Sequence, residues 1–227
     1  MKPVIIYCYD AYCGWCYGFS PVIRSIAETY ADRLDFETLS GGMIPKASRQ
    51  PIGKMADYIL QAYPRVEELT GIRFGEDYLW HLRHPDLSDW FPHSETPAIA
   101  MAVFREFHPD KTIAFAADLQ YALHGEGRDL TDLEAYRHLL PKYEIPEELF
   151  YERMKDPQYL EKAQYDFSLV KQLRVNGFPA VLMQTGDLQF YLLARGYTDY
   201  ETLKQTIDTV LAQLDPGSAN SESRANT

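Results

Sequence analysis

The chain has 227 residues, a formal net charge of -11, 46% hydrophobic residues with 17 Tyr and 11 Phe, and three Cys. This length holds one large domain, or a compact domain carrying a substantial insertion. The acidic balance argues against nucleic acid as a partner, no apolar run reaches the roughly 20 residues of a membrane span, and three cysteines are too few for a disulfide framework.

The amino end, Met1-Lys2-Pro3, leads directly into Val4-Ile5-Ile6-Tyr7-Cys8-Tyr9. That apolar stretch lacks the length of a signal-peptide core, and no small-residue cleavage site follows, so the expected location is cytoplasmic. The run is β-branched and aromatic and too short for a globular helix, which predicts a buried strand ending at Asp10. Phe19, Val22, Ile23, Ile26, Ala27, Tyr30 and Ala31 then recur at helical spacing, with Ser20-Pro21 predicting a kink or an irregular first turn.

Between strand and helix lies Cys13-Gly14-Trp15-Cys16. Two thiols with two residues between them can close a disulfide across a helix's first turn; the same residues could also supply half of a zinc site. A helix amino terminus carries unpaired N–H groups and the positive end of the dipole, which favour an anion. Cys13 is therefore the expected nucleophile, and Cys16, one turn in and pointing toward the protein, the resolving thiol. Gly14 permits close approach of a partner backbone, and Trp15 offers either a flat docking surface or ordinary packing. In a reducing compartment a CxxC is more often catalytic or metal-binding than structural. Cys8, the unpaired third cysteine, reads as a small buried hydrophobe. Asp10 is a candidate proton relay to Cys16, or a cap or turn-former through backbone N–H groups.

A second strand is expected at Asp35–Ser40, before Gly41-Gly42. From about Pro51 to Arg174 the pattern is helical, with segments at Lys54–Thr70, Glu95–Phe107, Asp110–His124, Asp132–Tyr143, Glu147–Met154 and Tyr159–Arg174. Ser94 with Pro97, and Thr131 with Glu134, read as helix starts, and Gly125 with Gly127 as a stop. His81, His84, Asp86 and His93 show no helical pattern that would assemble a metal site, so no metal is expected. Trp80 and Trp90 read as core by default. Ala180–Met183, a turn at Thr185-Gly186-Asp187 and Leu188–Leu193 form a hairpin, and Asp199–Leu214 is a last amphipathic helix. The polar end beyond Pro216 is expected to be disordered. These boundaries divide the chain into a β-α-β part (1–50), a helical insertion (51–174), a β-β-α part (175–214) and a tail (215–227).

Four features together carry a resemblance: Cys13-x-x-Cys16 after the first strand, the helical block, Asn176-Gly177-Phe178-Pro179 before the third strand, and the hairpin-helix ending. The chain resembles the DsbA-like branch of the thioredoxin superfamily, the DsbA/FrnE-type thiol–disulfide oxidoreductases, over about residues 3–214. The resemblance implies an α/β class, a thioredoxin-like fold with an inserted all-helical subdomain. It implies a cis Pro179 lying against the CxxC, with the backbone of Phe178 offered to an extended substrate peptide. It also implies protein or peptide thiols and disulfides as partners, with small thiols such as glutathione as possible co-substrates. No cofactor is expected beyond a redox-active Cys13–Cys16 disulfide. The chain departs from its relatives in carrying Phe178 where a β-branched or hydroxyl residue is more usual, Gly-Trp between the cysteines, and no second CxxC. Kappa-class glutathione transferases and hydroxychromene carboxylate isomerases resemble the same architecture but typically place Ser at the Cys13 position. A peptide-binding, chaperone-like module is the non-enzymatic alternative.

Overall fold

The computed structural model describes residues 2–214; the tail expected to be disordered lies outside them. Strand β1 (Val4–Tyr9), helix α1 (Gly14–Thr29) and strand β2 (Asp35–Ser40) come first. Six helices follow: α2 (Gly53–Thr70), α3 (Glu76–Arg83), α4 (Glu95–Phe107), α5 (Thr112–His124), α6 (Glu147–Lys155) and α7 (Pro157–Gln172). Strands β3 (Ala180–Gly186) and β4 (Gln189–Arg195) and helix α8 (Tyr200–Leu214) complete the chain. The four strands form one mixed sheet in the order β2-β1-β3-β4. β1 is parallel to β2 and antiparallel to β3, and β3 pairs antiparallel with β4. This is the thioredoxin-like α/β fold with helices inserted between β2 and β3.

β1 lies inside the sheet and buries both faces, which explains its unbroken apolar run. Ile5, Tyr7 and Tyr9 join Phe19, Ile23 and Ile26 of α1 in the main core, while Ile6 and Cys8 pack with Leu39, Val170 and Leu182 on the opposite face. Cys8 is thus a core residue. A buried ion pair ties the insertion to the sheet edge: Arg105 of α4 meets Asp166 of α7 at 2.9 Å. Arg105 also donates to the Thr38 carbonyl, and Asp166 accepts from the Ser40 N–H.

Several expectations change. Pro21 lies inside a continuous α1, and the Tyr17 carbonyl that its missing N–H would have bonded accepts instead from the Ser20 hydroxyl at 2.8 Å. The expected helix at Asp132–Tyr143 is two 3₁₀ segments, Leu133–Leu139 and Pro141–Tyr143, because Pro141 interrupts the backbone ladder. Its cap is Asp132 rather than Thr131, accepting from the Glu134 N–H at 3.0 Å. Ser94 precedes α4 without capping it, its hydroxyl being taken by the Ile44 N–H. The hairpin turn shifts to Asp187-Leu188, because β3 runs on through Gly186. α3 was not anticipated, yet Glu76 and Asp77 in its first turn and Arg83 in its last fit the helix dipole.

Among the described residues no helix is long and apolar enough to cross a membrane, and no cluster of three His, Cys, Asp or Glu side chains could hold a metal. His81 lies on α3, bonds Ser88 and stacks on Trp90 at 3.9 Å, while His84 bonds the Trp80 carbonyl. Trp90 is core, whereas Trp80 is 41% exposed.

Candidate active site at the amino end of helix α1

Cys13 is the N-cap of α1: its backbone is extended and its sulfur accepts from the Cys16 N–H at 3.3 Å. Its own N–H donates to the Asp10 carbonyl at 3.1 Å, closing the turn that joins β1 to α1. A sulfur in this position faces the unpaired N–H groups of the first turn, so negative charge on it is stabilised by the backbone. Cys13 is 7% exposed and Cys16 0%. All three cysteines are free thiols.

Burial drives the Cys16 thiol well above the ordinary cysteine value, and the neighbouring Cys13 pushes it further; a backbone hydrogen bond from Asp10 pulls it down, against the push of the Asp10 charge. Desolvation disfavours a thiolate wherever no water or cation replaces its hydration shell. Cys8 is likewise pushed up to about 12 by burial, with the carboxylates of Asp166 and Glu37 adding to it.

Asp10 is also buried, and burial raises its carboxyl above the usual range against the pull of Met43, Ser94, Tyr12 and Gly42. It does not cap α1, because Cys13 fills that position. Its Oδ1 accepts from the Tyr12 N–H at 3.0 Å and its Oδ2 from the Met43 N–H at 2.8 Å. The carboxylate therefore forms the strand-end turn and fastens the loop after β2 beside the cysteines, close enough to Cys16 to act on its charge.

The segment before β3 closes the opposite side. The Phe178–Pro179 peptide bond is cis, and the Cys13 thiol donates to the Phe178 carbonyl at 3.6 Å. Pro179 precedes β3 and accepts from the Gly196 N–H at 2.8 Å. The tip of the Phe178 ring abuts Gly41: a Cβ there would come within 2.2 Å of the ring. The bulky residue at position 178 is accommodated by the absence of a side chain across from it.

Gly14 lies against the Phe74 ring, 3.3 Å from where a Cβ would sit. Trp15 packs toward Tyr197, with ring centroids 6.5 Å apart. Cys13, Gly14, Trp15 and Phe74 border an apolar cavity of about 260 Å3 between α1 and α2, whose walls include Met43, Met55, Ile59 and Tyr78. No charged side chain lines it. The sequence did not single out Met55 and Ile59 of α2, because an apolar helix stripe looks alike whether it faces a core or a cleft. The six expected site residues around the motif, Asp10, Cys13, Gly14, Trp15, Cys16 and Phe178, do converge here, with Pro179 beside them.

Residues 4–208 match the DSBA-like thioredoxin domain family. The chain belongs to that family. Among solved structures, a protein from Nitrosomonas europaea provisionally assigned as a protein disulfide isomerase is 27% identical, with a TM-score of 0.82 over 94% of this chain and 99% of its own. The cytosolic disulfide reductase DsbM from Pseudomonas aeruginosa is 26% identical, with a TM-score of 0.74 over 92% of this chain and 99% of that one. The same reductase solved with GSH is similar at 27% identity, with a TM-score of 0.72 over 92% and 98% of the two chains. A 2-hydroxychromene-2-carboxylate isomerase shares the fold at 13% identity, with a TM-score of 0.62 over 96% and 98% of the two chains. Comparison with the curated proteins returned no match.

Proposed function

We propose that this chain is a cytoplasmic thiol–disulfide oxidoreductase that reduces disulfides of proteins or peptides, with Cys13 as nucleophile and Cys16 as resolving thiol. The observation that carries the reading is the asymmetry of the pair. Cys13 caps a helix at the mouth of a cleft, whereas Cys16 is sealed beneath it with its thiol held in the protonated form. In the first step the Cys13 sulfur attacks a substrate disulfide, forming a mixed disulfide and releasing one substrate thiolate. In the second, Cys16 loses its proton and attacks Cys13; the Cys13–Cys16 bond forms, and the remaining substrate sulfur leaves and takes up a proton. Two molecules of a small thiol such as glutathione then return the pair to the dithiol and leave joined as a disulfide. The likeness to a cytosolic reductase also solved with GSH supports both the direction and the reductant.

The apolar cavity beside Cys13 supports a substrate that carries an apolar group next to its reacting sulfur. The Phe178 carbonyl already faces Cys13, and a substrate backbone laid beside it would exchange that weak thiol contact for a peptide N–H. Glutathione-dependent insulin reduction tests the reading. Wild type is expected to accelerate it and Cys13→Ser to abolish the acceleration; full activity in Cys13→Ser would refute the mechanism.

A further inference from the structure

Tyr7 sits in the middle of β1, 1% exposed, on the sheet face that α1 covers. Its ring is fixed between Tyr9, with centroids 5.5 Å apart, and Phe19, at 5.9 Å. The hydroxyl at the end of that fixed ring comes within reach of the Cys16 thiol, in the same core cluster as both active-site cysteines. Among the described residues it closes no regular hydrogen bond. A buried hydroxyl without a partner leaves its desolvation unrepaid, and each such orphan requires a reason.

We propose that the Tyr7 hydroxyl is a catalytic hydrogen-bond donor held in reserve for the Cys16 thiolate. The inference rests on the exchange reading above and concerns its second step. A neutral thiol is a weak acceptor, so the bond is unmade in the dithiol state. When Cys16 gives up its proton to attack the mixed disulfide, its sulfur becomes a strong acceptor facing a preplaced O–H. The hydrogen bond then forms where the charge develops, so the interaction stabilises the transition state without stabilising the resting thiol. Atoms balance without consuming Tyr7. Cys16 loses a proton, the Cys13–Cys16 bond forms, the Cys13–substrate bond breaks, and the departing sulfur takes up a proton. The backbone of Asp10, in the turn before α1, also favours charge on the Cys16 sulfur, so the Tyr7 hydroxyl would add to a stabilisation that the turn already begins.

Tyr7→Phe removes one oxygen and leaves the stacked ring. The aromatic disulfide dithiobis(nitrobenzoic acid) separates the two steps, because one coloured thiolate is released when Cys13 attacks and a second when Cys16 resolves the mixed disulfide. A hydrogen bond to a charged group is worth enough that its loss should slow the second release roughly ten- to a hundredfold. The first release should be unchanged, and the pH at which the second step reaches its plateau should move upward. The thermal midpoint should stay level or rise, since an unpartnered polar atom has been deleted. Tyr9→Phe, which removes the neighbouring orphan hydroxyl, should leave both releases as in wild type. A Tyr7→Phe protein whose second release matches wild type would overturn the proposal. So would one that loses both releases together with its thermal midpoint, since that marks a structural role. Two releases persisting in Cys13→Ser would instead overturn the exchange reading on which the proposal stands.

Discussion

His124 at the end of α5 is a basic side chain enclosed almost wholly by aromatic rings. It stacks on Tyr17 with centroids 5.2 Å apart and meets the edges of Phe74 at 5.4 Å and Tyr78 at 4.9 Å. Neither ring nitrogen has a regular hydrogen-bond partner, and burial pushes its pKa down to about 3, against a small upward pull from the Ala11 backbone. The folded state therefore holds the neutral ring, whereas the unfolded chain titrates near 6.5. A base with a depressed folded pKa contributes stability that is intact above about pH 6.5 and is lost as pH falls toward 3. Between pH 7 and pH 5 the loss is about 2 kcal/mol, a large fraction of a typical domain's stability. Asp10 and Glu37 work in the opposite direction, because burial raises their carboxyl pKa values and acid relieves that cost. A variant comparison is needed to isolate the histidine. His124→Phe keeps an aromatic ring in the slot and removes the titration. Urea unfolding of both proteins at pH 7 and pH 5 should show the variant gaining about 2 kcal/mol on wild type across that interval. A constant gap between the two proteins would refute the reasoning, as would a ring-proton NMR titration of folded His124 with its midpoint near 6.

Other perturbations test the remaining parts. Asp166→Asn leaves Arg105 half-paired beneath α7, and breaking a buried pair of this kind should cost about 3 kcal/mol in urea unfolding; the exposed Arg65–Glu68 pair should contribute less than about 1 kcal/mol by the same measurement. Gly41→Ala drives a methyl into the Phe178 ring and should slow the first thiolate release by displacing the neighbouring carbonyl from Cys13, with an overpacking cost of about 1–3 kcal/mol. Brief alkylation of the folded dithiol protein should label Cys13 and spare Cys8 and Cys16, as read by peptide mass mapping, because the latter two are fully buried with raised thiol pKa values. Equilibration against glutathione should place the Cys13–Cys16 couple nearer −270 mV than −120 mV if reduction is its net direction.

The parts of the fold legible in the sequence were those whose burial is one-sided or complete. β1 reads as a strand because both its faces are covered, and α1 reads as a helix because its apolar residues repeat along one face. α3 escaped because its eight residues bury only Tyr78, Leu79 and Leu82, too few to establish a period. The stretch before Tyr143 failed for a different reason. Its apolar spacing suits α and 3₁₀ turns alike over a few residues, and Pro141 decides between them through a backbone bond that hydrophobic pattern does not record.

The candidate site shows the same division between local and distant information. Cys13, Gly14, Trp15 and Cys16 were visible because strand-to-helix placement is a local property. Their partners Tyr7, Gly41 and Phe178 come from three other segments, and no spacing rule joins them. What joins them is the order of the sheet: β1 lies between β2 and β3, so Gly41 just beyond β2 and Phe178 just before β3 meet on either side of the β1–α1 turn. Strand parity supplies the rest, because Tyr7 projects to the face that α1 covers, as do Ile5 and Tyr9, and α1's second cysteine points down to the same face. Strand parity then places Tyr7 on the face under α1, where the resolving thiol also lies. Neither the apolar character of β1 nor the spacing of the CxxC distinguishes that hydroxyl from the other aromatic core positions. Its place beside the Cys16 thiol does, because Tyr9 and Tyr12 carry unpartnered hydroxyls as well.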